Sequence, residues 1–225
     1  MFIGVYEKLE RAGYFLNNLK TLAEDAGGFP YIKKRQELRA NLDAFFFEII
    51  SAKDFFLQGI NDYYGLGLRK QEATDIAQLK RCIECKGESK ASEVVVSIEK
   101  QLSNKDTWLW QLNNYRNSAT HRELLHLGFE ANITYEVDKA SFDKIKQEME
   151  QGKIVIKPIF EGQEKSIPPD VPRVDVPREN IKTYLFKDPE DSSQGNAAME
   201  VIPYCEQSLE QMRKFLDGLH SQLGD

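Results

Sequence analysis

Residues 31 to 64 contain no proline and a single glycine, Gly59. Apolar side chains recur in this stretch at every third or fourth position, namely Leu38, Leu42, Phe45, Phe46, Ile49, Phe56, Ile60 and Tyr63. An α-helix brings positions with this spacing onto one side, where they can pack against other elements. The pattern therefore predicts a helix of unusual length.

Similar apolar periods predict further helices on both sides of this segment. The first predicted helix ends before Gly27, Gly28 and Pro30, and the long helix ends before Gly65 and Gly67. The further helices are expected over residues 3 to 26, in a segment that ends at Cys85, from Ser92 to Leu102, over 107 to 125, and from Val201 or Pro203 to Leu223. The chain is thus predicted to be mainly α, a helical bundle.

The pattern changes after Gly128. Alternating apolar residues predict short strands over 133–137, 153–160 and 182–186, with a helix over 142–149 between the first two. Four prolines between the last two strands predict an extended loop. We therefore divide the chain into a helical bundle over 1–128, a small β-containing insertion with a Pro-rich loop over 129–195, and a C-terminal helical segment over 196–225 that returns to the bundle.

Composition narrows the function classes. The 225 residues are 41% hydrophobic and 29% charged, which is typical of a globular protein, and the net charge is -6. Such a charge does not favour nucleic-acid binding over the whole surface, so a phosphate-binding site has to be local. Three cysteines are too few for a disulfide framework, and neither a secretory signal nor a membrane span is visible. We expect a cytoplasmic protein with no membrane partner.

The helix predicted over 107–125 has an unusual composition, because Arg116 is the one formally charged residue between Thr107 and His121. A helical wheel places Trp108, Leu112, Tyr115 and Ala119 on one face, as a core stripe. The opposite face carries Trp110, Asn114, Asn117 and His121, with Asn113 beside them. An uncharged polar face indicates a second buried surface, such as an interface or a cleft, although a plain polar surface is the alternative.

Three residues of this helix form a plausible group for cleaving phosphodiesters. Asn117 and His121 are four residues apart, so their side chains can meet, and Arg116 is one step round the helix. A guanidinium can hold two phosphate oxygens, and an imidazole can move a proton at neutral pH. Such chemistry requires neither a metal nor a cofactor.

Arg116-Asn117-x-x-x-His121, on a late helix of a bundle with two long helices before it, resembles the signature of the HEPN superfamily. The resemblance implies a homodimer whose signature helices face each other, and a metal-independent endoribonuclease that leaves 2′,3′-cyclic phosphate ends, as in toxin, defence or RNA-processing systems. It implies that Arg116, Asn117 and His121 are catalytic. Residues of substrate binding or of the interface would be Trp110, Asn113, Asn114 and Arg122. RNA would be the substrate, and an antitoxin or regulatory protein a further partner.

Two alternatives remain open at this point. Some members of the superfamily bind nucleotide or RNA without cutting it, and a purely structural dimerisation module would also use such a helix. Elsewhere, Cys82-Ile83-Glu84-Cys85 has the spacing of half a zinc site, but no second pair follows at a usable spacing. We therefore expect two ordinary helix cysteines and no metal site.

Overall fold

The computed structural model describes residues 2–25, 35–121, 127–131, 181–186 and 198–224, and the side chains within 2–22, 36–118 and 199–224. In these ranges the chain is a mainly helical bundle, which confirms the predicted fold class. The elements in chain order are α1 (Ile3–Asp25), α2 (Arg35–Tyr63), α3 (Lys70–Ala73), α4 (Ile76–Lys86), α5 (Ser89–Ser103), α6 (Trp108–His121), β1 (Leu127–Ala131), β2 (Ile181–Phe186), β3 (Ala198–Glu200) and α7 (Val201–Leu223).

Helices α1 and α2 pack antiparallel along their length. Near one end, Lys8 forms an ion pair with Glu48 at 2.8 Å, and near the other, the amide of Asn18 donates to that of Asn41 at 3.1 Å. The apolar period on α1 is buried from Val5 to Leu19, and the period on α2 is buried from Leu38 to Ile60. Tyr63, the last residue of the α2 period, is exposed. These two helices therefore form one wall of the core.

Helix α7 closes the bundle by running antiparallel to α1. The hydroxyl of Tyr6 donates to Asp217 at 3.0 Å, and Lys20 pairs with Glu206 at 2.5 Å near the other end of the contact. Pro203 lies in the first turn of α7, where its missing N–H leaves no helical hydrogen bond unmade. The predicted start of this helix at Val201 is confirmed.

A side-chain clamp ends the long helix α2. The Asn61 amide accepts from the Leu68 N–H at 3.0 Å and donates to the Leu68 carbonyl at 3.1 Å. Gly65 and Gly67 between them have positive φ angles of 57° and 77°, which L side chains rarely adopt. The predicted break at these glycines is thus confirmed, and α3, α4 and α5 follow it.

The strands form one antiparallel sheet in the order β1-β2-β3. Leu127 pairs with Leu185, Tyr184 pairs with Glu200, and β3 continues directly into α7. The strand predicted over 182–186 is confirmed as β2. The sequence did not predict β1, although Leu127, Phe129 and Ala131 alternate, because Gly128 was interpreted as the end of the preceding helix. It did not predict β3, which is too short to show alternation. The segments predicted at 133–137, 142–149 and 153–160 and the Pro-rich loop lie outside the described residues.

None of the helices in the described ranges is long and apolar enough to span a membrane.

Candidate functional site

The turn before α6 fixes where that helix begins. The side chain of Asn104 accepts from the N–H of Asp106 at 3.0 Å, and the N–H of Thr107 donates to the Asn104 carbonyl at 3.1 Å. The Thr107 hydroxyl also bonds to that carbonyl, at 2.7 Å, and to the Gln101 carbonyl at the end of α5. Polar side chains in this turn therefore satisfy backbone groups that the helix itself leaves free.

The buried side of α6 is rotated from the predicted one. Its buried residues are Leu109, Leu112, Tyr115 and Ser118. Trp108, which the wheel placed in the core stripe, is half-buried and meets Phe215 of α7 edge to face at 5.7 Å. The predicted stripe is confirmed at Leu112 and Tyr115, and Trp108 packs against the core while only partly buried. The prediction left out Leu109, because the wheel was centred on the large residues Trp108 and Tyr115. The side chain of Ala119 lies outside the described residues.

Arg116 lies at the edge of this buried side, seven residues after Leu109 and four after Leu112. Its side chain is half-buried and its Nε is fully shielded from solvent. Its Nη1 donates to the Asn117 Oδ1 at 3.2 Å. The structure thus brings together two of the three residues that the sequence singled out, as a cation held against an amide.

The third residue, His121, is the last residue of α6, one turn after Asn117. The backbone of α6 continues to His121, so Asn117 and His121 are one helical turn apart, as their predicted contact requires. The imidazole of His121 and the whole of Arg122 lie outside the part of the chain that the structure describes.

The outer side of α6 is half-buried at each of the other predicted positions, Trp110, Asn113 and Asn114. The ammonium group of Lys105, from the turn before the helix, lies 5.9 Å from the centre of the Trp110 ring, within the range of a cation–π interaction. The sequence missed this lysine because it precedes the helix whose composition was considered. A positive charge therefore does accompany the uncharged face.

A second missed residue is Asp43 on α2. Phe46, three residues later on the same side of α2, stacks on Tyr115 of α6 with ring centres 5.1 Å apart. Burial raises the pKa of the Asp43 carboxyl to about 6, although the charge of Arg39 opposes the shift. One carboxyl oxygen is shielded from solvent and has no hydrogen-bond partner among the described residues. The signal in the sequence is an isolated acid within the apolar run from Leu42 to Phe47.

Metal-ligand chemistry has little support around α6. Within the described ranges, no group of three or more His, Cys, Asp or Glu residues is close enough to hold a metal ion. All three cysteines are free thiols. Among the described residues, Arg116 and Lys105 carry positive charge at α6.

Comparisons with known proteins add no relative, since no family model, curated protein or solved structure matches this chain.

Proposed function

We propose that this protein is a metal-independent endoribonuclease of the HEPN type, with its site on α6. The observation that carries the proposal is the contact of the Arg116 guanidinium with the Asn117 amide, one turn before His121. Arg116 is half-buried, and it is the one formally charged residue from Thr107 to His121. A partly desolvated guanidinium binds a phosphate more strongly than an exposed one, because water screens it less.

The proposed reaction is transfer of the RNA phosphodiester to the adjacent 2′-hydroxyl. His121 takes the proton of that hydroxyl as a general base, or protonates the departing 5′-oxygen as a general acid. Arg116 stabilises the negative charge that develops on the phosphate oxygens, and Asn117 holds the guanidinium in place. The 2′-oxygen forms a bond to phosphorus as the bond to the 5′-oxygen breaks. The products are a 2′,3′-cyclic phosphate and a 5′-hydroxyl, and DNA is not cut.

The proposal includes a homodimer in which two copies of α6 face each other. Trp110, Asn113 and Asn114 are already half-buried within one chain, and a facing helix would cover their remaining surface. Arg122, which lies outside the described residues, is proposed to contact the substrate or the partner, as the family resemblance implies. A composite site would bring two Arg116–Asn117 pairs to one RNA strand.

The test is incubation of purified full-length protein with end-labelled RNAs, structured and unstructured, in EDTA. Three proteins are compared: the wild type, His121→Ala, and His220→Ala as a matched control. His220 packs its ring against Phe2 at 4.7 Å, far along the bundle on α7, so its loss leaves the α6 site intact. We expect cyclic-phosphate ends from wild type and His220→Ala, with at least a hundredfold loss in His121→Ala, as typical of a general acid or base.

A non-catalytic module that binds RNA, nucleotide or a partner protein is the second candidate. The net charge of -6 favours its nucleotide- or protein-binding form, because an acidic surface does not concentrate RNA. Absence of cleavage by all three proteins, with RNA binding that Arg116→Ala weakens, would replace the ribonuclease by this module. Efficient cleavage of a DNA oligonucleotide would exclude the proposed mechanism, because DNA lacks the attacking hydroxyl. A loss of the dimer on His121→Ala would indicate a structural role for α6.

A further inference from the structure

We propose that Trp110 and Lys105 form a nucleotide-binding subsite, in which the indole ring stacks on an unpaired RNA base and the ammonium group pairs with a phosphate of the same strand. The inference rests on the proposed function, because it extends the α6 site along the same helix. The sequence left open whether Trp110 serves the substrate or an interface. The structure adds the Lys105 ammonium group, which lies 5.9 Å from the centre of the Trp110 ring.

Packing against the core fixes the side of α6 on which Trp110 lies. Leu109 and Leu112 are fully buried, so the helix has little freedom to rotate about its axis. Trp110 lies outside this buried side and keeps part of its surface exposed. Trp108, by contrast, meets Phe215 of α7 at 5.7 Å. The two tryptophans therefore serve different surfaces, and only Trp110 is available on the outer one.

The turn before α6 holds Lys105 at this ring. The Asn104 side chain accepts from the N–H of Asp106 at 3.0 Å, and the N–H of Thr107 donates to the Asn104 carbonyl at 3.1 Å. Lys105 lies between these bonded residues and is exposed. Asp106 is also exposed and balances the formal charge of the turn. Attraction of a phosphate therefore depends on the position of the ammonium group over the ring and not on the net charge of the turn.

The subsite is in line with the Arg116–Asn117 pair. Trp110 and Asn117 are seven residues apart, which places them on the same side of α6 and about 10 Å apart along its axis. Asn113 and Asn114 lie between them, and their amides can hydrogen-bond to bases. Helix α6 contains no acidic residue, so none of its own side chains repels the phosphates of a bound strand. A strand that is cleaved at Arg116 would therefore place a neighbouring base at Trp110.

A base can displace the Lys105 ammonium group from the ring. A cation–π contact at an exposed site contributes a factor of about 2–5 to an equilibrium constant, whereas a base stacked on an aromatic ring contributes about 5–150. The exchange therefore favours stacking, and the freed ammonium group remains close enough to pair with a phosphate of the same strand. In the proposed dimer the strand would lie between the facing helices, so that the second copy covers the base and not the bare ring.

The chemistry of the subsite selects single strands. Stacking on a side chain requires a base that has left its neighbours, as in single strands, loops and bulges, and a regular duplex does not offer one. Every base has a π-face, so the ring itself gives little sequence preference. We therefore expect binding of unpaired RNA with weak dependence on sequence.

The experiment measures binding of an end-labelled 2′-O-methyl RNA strand by fluorescence anisotropy. This RNA lacks the attacking hydroxyl, so binding is measured apart from cleavage. A length of about four nucleotides is too short to shift along the site without losing contacts. Each base in turn is removed by an abasic substitution, and binding is compared between full-length wild type and Trp110→Leu. We expect removal of one base to weaken binding to wild type by about 5–150-fold and to have little effect on binding to Trp110→Leu.

The salt dependence of binding tests Lys105. For single strands, the logarithm of the binding constant falls with the logarithm of salt concentration, with a slope of about -0.7 for each phosphate neutralised. Lys105→Ala should make this slope shallower by about 0.7, and Lys105→Arg should restore it. Lys70→Ala removes an exposed lysine at the start of α3 and is the matched control, so it should leave the slope unchanged.

Trp108→Leu makes the same substitution two residues before Trp110 and should bind the strand as the wild type does. Far-UV circular dichroism establishes that each variant is folded. The proposal is overturned if Trp110→Leu keeps the wild-type dependence on the bases, or if Lys105→Ala keeps the wild-type salt slope. Loss of the dimer in Trp110→Leu with unchanged RNA binding would assign Trp110 to the interface instead.

These outcomes are distinct from those of the ribonuclease test. Base-dependent binding at Trp110 without cleavage of unmodified RNA would keep the subsite and overturn the proposed reaction. Cleavage together with binding that does not depend on Trp110 would overturn the subsite alone. A folded wild type that binds no RNA would overturn both.

Discussion

Asp43 is a carboxyl whose pKa is raised on folding into the mildly acidic range. It lies on the side of α2 that faces α6, three residues before Phe46, and one of its carboxyl oxygens is shielded from solvent. Burial disfavours the charged carboxylate, which raises the pKa from the usual 3.8 to about 6. The positive charge of Arg39, one turn earlier on α2, lowers the Asp43 pKa, but by less than burial raises it. The folded chain therefore holds a proton at mildly acidic pH that the unfolded chain releases.

The pH dependence of stability follows from this shift in the Asp43 pKa. As pH rises from 3.8 to about 6, the unfolded chain loses the proton first, so ionisation of Asp43 lowers the free energy of unfolding over that range. Above pH 6, the free energy of unfolding of Asp43→Asn should exceed that of wild type by roughly 1–2 kcal/mol. This figure allows for solvent screening at a half-buried site. Below pH 4 the difference should vanish.

Urea unfolding at several pH values measures this difference directly. Asp106→Asn makes the same substitution at an exposed position before α6, and its effect on stability should not vary with pH in the same way. A stability difference between Asp43→Asn and wild type that is constant from pH 4 to 8 would show that burial does not perturb this carboxyl.

At the scale of the elements, an aromatic ring and a glycine fix how α1 meets α2. The Phe2 ring, just before α1, stacks on Phe56 at 4.9 Å and meets the His220 ring of α7 at 4.7 Å. It lies against Gly59, where an added methyl carbon would be 2.4 Å from the ring. Glycine in a helix interior costs about 1 kcal/mol relative to alanine, so Gly59 trades helix propensity for this close approach.

Gly59→Ala should therefore destabilise the protein in spite of its better helix propensity. The Phe2 ring is buried against Phe56, which stacks on it, and against His220, which meets it edge to face, so it has little room to shift. We therefore expect a net loss of about 1 kcal/mol or more in the free energy of unfolding. In Gly59→Ala, amide hydrogen exchange should also become faster in the first turn of α1, because Phe2 directly precedes that turn. Gly13→Ala is the control, because its added methyl would be 3.8 Å from the nearest atom, Leu209 Cδ2, an ordinary contact. Gly13→Ala should stabilise the protein. If Gly59→Ala also stabilised it, the close packing of Phe2 against Gly59 would be contradicted.

At the scale of the whole molecule, three rings connect three helices that are distant in sequence. Phe46 of α2 stacks on Tyr115 of α6 at 5.1 Å, and Tyr204 of α7 lies 5.7 Å from Tyr115 and 6.4 Å from Phe46. Phe46 and Tyr115 are almost completely buried. The position of α6, and with it the Arg116–Asn117 pair, thus depends on contacts made by α2 and α7.

Phe46→Ala should lower the free energy of unfolding by about 3–5 kcal/mol, because it removes the ring at the centre of this cluster. Trp108 and Trp110, the two tryptophans of the chain, are both on α6, so their fluorescence reports on that helix. Circular dichroism reports on all the helices together. We expect both signals to shift to the same lower denaturant midpoint, as in one cooperative unit.

Phe47→Ala, at the next position, is the matched control. The Phe47 side chain is 42% exposed, so its loss should cost about 1 kcal/mol or less. If fluorescence alone shifts in Phe46→Ala while circular dichroism does not, α6 is a separate unit and the three rings do not couple the helices.

The sequence by itself determined the helices, because their signals are local. The apolar period on α2, the glycine breaks at Gly65 and Gly67, and the start of α7 at Val201 each act within a few residues and appear in the structure where predicted. The contact of Arg116 with Asn117 was not predicted, because adjacent residues on a helix do not face each other and the sequence pointed to a meeting of Asn117 with His121. The sequence missed β1 and β3, since their pairing with β2 joins residues far apart in the chain.

The tertiary structure alone decided the environments of the side chains. The sequence could not show that Leu109 would be fully buried and Trp108 only half-buried, because that depends on how α2 and α7 approach α6. The isolated acid in the apolar run from Leu42 to Phe47 is a signal in the sequence, but the loss of water that raises the Asp43 pKa arises only in the packed structure. Burial is a property of the assembled elements, whereas periodicity is a property of one. For this protein the sequence therefore determines which helices form, and their packing determines what their residues can do.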